Sequence, residues 1–103
     1  MYKLHFFVPT EDKESVKQAL FDIGVGQYDN YDMCAFETKG TGQFRPLSSA
    51  NPHIGTHFKL ERLEEYKVEL ICSDDIIKNA IKTLKEAHPY EEVAYEVFKM
   101  EDF

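Results

Sequence analysis

The sequence predicts an α+β fold, an antiparallel sheet with two helices on one face in the order βαββαβ, the ferredoxin-like plan. Three observations predict it. Residues 2–8 and 66–72 alternate apolar and polar with a period of two. Two other stretches carry apolar residues at helical spacing, and each is followed by a stop signal, Gly24 or Pro89. The order in which these segments occur leaves room for one further strand after each helix. At 103 residues the chain makes a single domain over 1–103. Its 43% hydrophobic and 14% aromatic content is that of a globular chain rather than a disordered one.

Tyr2, Leu4, Phe6 and Val8 fall on one side of the first strand and Lys3, His5 and Phe7 on the other, with Pro9 ending it. Thr10 is placed to cap the next element, and Glu11, Asp12 and Glu14 put negative charge where a helix dipole favours it. Val16, Ala19, Leu20 and Ile23 then give a helix over about 11–23. Residues 31–38 are expected to form the second strand. Residues 39–55, with three Gly and two Pro, form a long loop of the kind that carries function. Residues 56–60 would fold back as a short hairpin strand. Tyr66, Val68, Leu70 and Cys72 mark the next strand, the clearest of all. Ser73 or Asp74 caps a second helix whose stripe is Ile76, Ile77, Ala80, Ile81, Leu84 and Ala87. The last strand covers about 93–100, with Val93, Tyr95 and Val97 facing inward and Phe7, Phe98 and Met100 on the second sheet face. An apolar second face predicts oligomerisation.

The net charge of −7 argues against nucleic-acid phosphates as partners. No apolar run approaches the roughly 20 residues that span a bilayer, and no basic-then-apolar leader opens the chain, so neither membrane nor secretion is expected. Two widely spaced cysteines, Cys34 and Cys72, make no disulfide framework and fit a reducing cytoplasm.

Gly40-Thr41-Gly42-Gln43-Phe44-Arg45-Pro46 lacks the GK[ST] of a phosphate loop, and a Gly-rich turn is its simpler reading. Arg45 is the one group there suited to an anion. His53 and His57 stand four apart, a metal spacing on a helix, but Pro52 and Gly55 argue against a helix there. His88-Pro89-Tyr90-Glu91-Glu92 is either a plain helix-ending turn or a site. In the second reading the C-terminal end of the helix dipole favours imidazolium at His88, beside two carboxylates. No nucleophile–base pair emerges from Cys34 or from the adjacent acids Glu64-Glu65, Asp74-Asp75 and Glu91-Glu92, so an enzyme is not expected.

Five motifs in order resemble one family: Gly24-Val25-Gly26-Gln27-Tyr28, Cys34-Ala35-Phe36, the Gly40–Pro46 stretch, Ala50-Asn51-Pro52-His53-Ile54-Gly55, and His88–Glu92. They resemble the small domain inserted in the GTP cyclohydrolase I type 2 homologs (NGG-interacting-factor-three-like, YqfO type). The likeness covers nearly the whole chain, with a departure at Gln27–Asn30. The resemblance implies a CutA/PII-like ferredoxin-like fold and a homotrimer with ligand clefts between subunits. It also implies that this chain is a free-standing accessory domain, without the flanking domain whose histidines and acids hold two metals. Carried onto this sequence, the candidate ligand-binding residues are Gly40, Gly42, Phe44, Arg45, Pro46, His88, Tyr90, Glu91 and Glu92. The implied function is regulatory binding of a small ligand, metal ion or partner protein, with no resident cofactor. The alternative is copper-type divalent-metal handling through His53, His57 and His88, with Glu91 or Glu92. Remnant hydrolase chemistry ranks last.

Overall fold

In the computed structural model, which describes residues Met1–Phe103, strand β1 (Tyr2–Pro9) lies inside a four-stranded sheet of order β2-β3-β1-β4. The others are β2 (Phe36–Phe44), β3 (Glu61–Cys72) and β4 (Tyr95–Lys99), and every neighbouring pair is antiparallel. Helix α1 (Lys13–Asp22) connects β1 to β2, and α2 (Ile77–Ala87) connects β3 to β4. This is the ferredoxin-like arrangement that the order of segments predicts.

Register explains the core. Leu4 lies between Leu70 and Val97, and Phe6 between Val68 and Tyr95, so the even positions of β1 and β3 share one face. The helices cover that face: Leu4, Phe6, Val8, Val68, Leu70 and Cys72 pack with Val16 and Leu20 of α1 and Ala80 and Leu84 of α2, all buried. Ile76, Ile77, Ile81, Ala87, Val93 and Tyr95 rim this cluster, as their spacing predicts. Val97 shares the face but stays 38% exposed, on the edge strand β4. On the opposite face Phe98 pairs across from Lys3 and touches the His5 ring, with centroids 5.1 Å apart.

The second strand starts later than the sequence predicts. Residues 31–35 are irregular: Gly26 (φ 82°) and Met33 (φ 54°) turn the chain left-handed, and the Cys34 N–H donates to the Gly26 carbonyl at 2.8 Å. A Cβ on Gly26 would stand 2.8 Å from the Cys34 oxygen, so the turn requires glycine. The turn at Tyr28 and Tyr31 closes with two mutual backbone hydrogen bonds of 2.8 and 2.9 Å, which accommodates the divergent Gln27–Asn30 sequence. β2 therefore begins at Phe36 and runs to Phe44, so Gly40 and Gly42 lie in a strand and not in a loop. Residues 56–60 form no strand; β3 instead extends back to Glu61 and pairs with β2 from Phe36↔Glu69 to Phe44↔Glu61. Because β1 reaches only Glu65, the β2–β3 hairpin projects past the sheet as a two-stranded arm, in a molecule 46 Å long and 26 × 24 Å across.

Both predicted caps are absent. Thr10 lies in a single 3₁₀ turn, and its hydroxyl donates to Glu64 at 2.8 Å; Ser73 donates to Asp75 at 2.6 Å. α2 ends at Ala87, where Pro89 and the extended backbone of His88 (ψ 140°) break it as expected. No helix is long and apolar enough to cross a membrane.

Candidate functional site

A cleft of about 630 Å³ opens between residues 45–60, which join β2 to β3, and the turn after α2. Two contacts bring these distant segments together. The backbone N–H of Asn51 donates to both carboxylate oxygens of Glu91, at 3.1 and 2.8 Å, across 40 residues of sequence. The Tyr90 hydroxyl donates to Glu65 Oε2 of β3 at 3.1 Å. The 45–60 segment also braces itself: Phe58 N–H donates to the Pro46 carbonyl at 2.7 Å, and His57 Nε2 lies 2.7 Å from the Ala50 carbonyl.

Strand register fixes the floor. Phe36, Thr38, Gly40, Gly42 and Phe44 of β2 share the helix-free face with Glu65, Lys67 and Glu69 of β3, and Phe7 of β1 belongs to it too. Gly42 has a purpose there. A Cβ at this position would overlap Oε1 and Cδ of Glu65, so its absence lets the glutamate lie across β2 and reach Tyr90. The rings of Phe44 and His53 stand 6.0 and 6.3 Å from the Tyr90 ring, canted by 62° and 50°.

His88 is buried at 5% exposure, and both of its nitrogens are engaged. The Phe7 carbonyl can only accept, so Nε2–H donates to it at 2.7 Å, and Nδ1 accepts the Tyr90 N–H at 3.1 Å. This corrects the expectation of an imidazolium favoured by the helix end. Burial holds the His88 pKa below its ordinary value, and the ring is a neutral strut that orients Tyr90. The Tyr90 phenol is pushed up by burial and by Glu65, and the Glu65 carboxyl is pushed up by burial. Cys72, in the core, is raised by burial to about 11 and stays a thiol.

Of the residues singled out in the sequence, Phe44, Arg45, Pro46, His53, Tyr90, Glu91 and Glu92 meet at the cleft. Gly42 supports it from below through Glu65, whereas Gly40 lies farther along β2, opposite Glu65, and lines no part of the cleft. His57 is turned to Ala50 and His88 to Phe7, so the three candidate metal histidines do not converge. Within the chain no three His, Cys, Asp or Glu side chains are grouped to hold an ion. Glu65, Phe7 and Ala94 are lining residues that the sequence motifs did not mark. For Glu65 the signal lay in the diagonal relation of a glycine and a glutamate on paired strands, which needs the register to be seen.

No family model matches the chain. It is 39% identical over 100 residues, 97% of its length, to the GTP cyclohydrolase 1 type 2 homolog of Halalkalibacterium halodurans, and 39% identical over 99 residues to that of Bacillus subtilis. It spans about a quarter of these curated relatives, 27% and 26%. A Bacillus cereus protein related to NIF3 superposes with a TM-score of 0.83 at 39% identity, over 98% of this chain and 26% of that one. CutA1 of Pyrococcus horikoshii superposes with a TM-score of 0.73 at 19% identity, over the whole of this chain and 86% of its own. The PII-like protein CutA of Nostoc gives 0.70 at 16%, over 97% of this chain and 81% of its own, a likeness of fold alone.

Proposed function

We propose, from the premise that this chain is a CutA-like homologue of one segment of the GTP cyclohydrolase 1 type 2 homologs, that it is a ligand-binding accessory or regulatory domain and not a catalyst. The carrying observation is the meeting of the 45–60 segment and the 88–92 turn on one cleft, locked by Glu91 and Asn51. A cleft of about 630 Å³ has the size of a small-molecule site. A ligand seated there touches the segment and the sheet together, so its binding is felt along the projecting arm. The cyclohydrolase name is carried by proteins about four times as long, and two of the chain's chemically versatile groups are committed elsewhere: His88 is tied on both nitrogens, and Cys72 is in the core. The half-exposed Phe98 and the exposed Met100 on the helix-free side support assembly of three copies that cover them, in a reducing cytoplasm that suits two free thiols.

Thermal-shift measurements with nucleotides, carboxylates, amines and divalent ions test the reading. A cleft ligand at a hundred times its Kd adds about 2.7 kcal/mol, which for a domain this size raises Tm by on the order of 10 °C. The same compound should lose its effect in Tyr90→Ala. A screen in which no compound raises Tm, or in which Tyr90→Ala responds as the wild type does, removes the ligand-binding reading. Sedimentation at micromolar concentration tests the assembly, and a lone protomer refutes it.

A further inference from the structure

We propose that the cleft is built for an organic ammonium, a small molecule whose protonated or quaternary amine sits against the Glu65 carboxylate among the rings of Phe44, His53 and Tyr90. The inference rests on the reading of this cleft as a ligand site and names the chemistry that the site takes. Three observations carry it.

The first is the charge of the lining. Glu65, Glu91 and Glu92 face the space, against the single guanidinium of Arg45, which is exposed. Glu91 is occupied with Asn51, and Glu65 accepts only the Tyr90 hydroxyl, through Oε2, leaving Oε1 without a hydrogen bond from the chain. A half-buried carboxylate with a free oxygen and no cation paired to it lacks what an ammonium supplies.

The second is the rings. Phe44 and His53 are canted to Tyr90 by 62° and 50° at 6.0 and 6.3 Å, so they stand as walls and do not stack shut. The faces of Phe44 and Tyr90, which line the cleft with Glu65, attract a cation by their quadrupoles, and with the His53 ring they give a bulky, weakly hydrated ammonium surface to cover. A small metal ion uses neither property.

The third is pre-organisation. Glu65 is held across β2 by the space at Gly42 and by the Tyr90 hydroxyl, and Tyr90 is held in turn by the His88 ring. The carboxylate therefore waits in its binding position with little left to order when the ligand arrives. Burial, which raises the Glu65 pKa, disfavours the lone anion, and an ammonium neighbour relieves that cost.

Isothermal titration calorimetry tests this with choline and phenethylammonium as the cations. The controls are 3,3-dimethylbutan-1-ol, the neutral shape of choline, and phenylacetate, which joins the same ring to the opposite charge. At least one cation should bind, and both controls should be weaker by about tenfold or more. Glu65→Gln, isosteric and neutral, should cut cation affinity at least about tenfold. Phe44→Leu should cut it roughly two- to fivefold, and Arg45→Gln, which removes a like charge from the lining, should tighten it. Circular dichroism of each variant shows that it is folded. Phenylacetate or the alcohol binding as well as the cations, or Glu65→Gln binding as the wild type does, overturns the ammonium inference and leaves the cleft a ligand site. If neither cation binds while another compound stabilises the wild type but not Tyr90→Ala, the inference likewise falls alone. If nothing binds at all, both readings fall.

Discussion

Replacing Gly42 with alanine tests whether the Glu65–Tyr90 contact organises the cleft. The three atoms nearest the added Cβ all belong to the flexible Glu65 side chain, so the glutamate swings away and the strand stays. Two effects then oppose each other. The Tyr90–Glu65 hydrogen bond is lost, at about 1 kcal/mol; this is below the roughly 1.5–3 kcal/mol of a bond to a charged group, because Glu65 is half-buried and regains water. Alanine in a strand is favoured over glycine by roughly 0.5–1 kcal/mol, through the lower entropy of the unfolded chain. Gly42→Ala alone should thus change stability by less than about 0.5 kcal/mol, which discriminates nothing.

The Tyr90→Phe background separates the two. There the hydrogen bond is already gone and nothing holds Glu65 over Gly42, so the same Gly42→Ala change should stabilise by the full 0.5–1 kcal/mol or so. The coupling energy between the two positions is therefore about 1 kcal/mol, well above the roughly 0.3–0.5 kcal/mol scatter of independent sites. Urea unfolding of the four proteins, with the slope m checked for constancy, measures it. Additivity within that scatter would refute the idea that Gly42 acts through Glu65 on Tyr90.

The other predictions concern the core, the strut and the latch. Phe6→Ala removes the largest fully buried side chain, on a strand paired on both sides, and should cost about 3–5 kcal/mol by urea unfolding. His88 is depressed below its unfolded value, so its neutral form contributes stability that is present above the unfolded pKa and is lost as pH falls below it. Glu65, whose folded pKa is raised, acts in the opposite sense and favours the folded chain toward acid. A His88→Gln variant, which lacks the titration, should therefore lose less stability between pH 7 and pH 5 than the wild type; equal losses would show that His88 does not govern acid sensitivity. Glu91→Ala frees the Asn51 N–H, and amide exchange at Asn51 and across residues 45–60 should accelerate while β1 and β3 stay protected. Unchanged exchange there would remove the latch.

Legibility in the sequence follows burial. β1, β3 and α2 each bury one face and expose the other, so the core writes a period into them: Leu4, Phe6 and Val8, then Val68, Leu70 and Cys72, then Ala80 and Leu84. β2 is an edge strand with no buried residue, so nothing imposes alternation on it. Its two glycines then read as loop punctuation, although Gly42 is there because a neighbouring strand needs the room. The caps fail for a related reason. Thr10 and Ser73 have the right side chains, but α1 and α2 begin later than those residues allow: Asp12 and Ile76 stand at the two helix starts, and the hydroxyls donate to Glu64 and Asp75 instead.

The cleft shows the same division between what a residue type can announce and what only pairing can supply. The motifs bring forward Arg45, His53 and Tyr90, because histidine, proline and arginine are conspicuous in a short stretch. They leave His88 open between a plain helix-ending turn and an imidazolium site, and the second reading fails because the Phe7 carbonyl that fixes its tautomer lies 81 residues away. Glu65 passes as one more wet residue on an alternating strand, although it fills the space at Gly42 and accepts the Tyr90 hydroxyl. The two cases have one origin: each side chain takes its role from a backbone or ring delivered by a distant strand. Changing Glu65 should therefore alter what the cleft holds, while changing His88 should alter how firmly Tyr90 stands in it. Binding measured on Glu65→Gln and His88→Gln together separates these roles, because loss of charge removes a cation whatever the ring does, whereas loss of the strut weakens every ligand of the cleft alike.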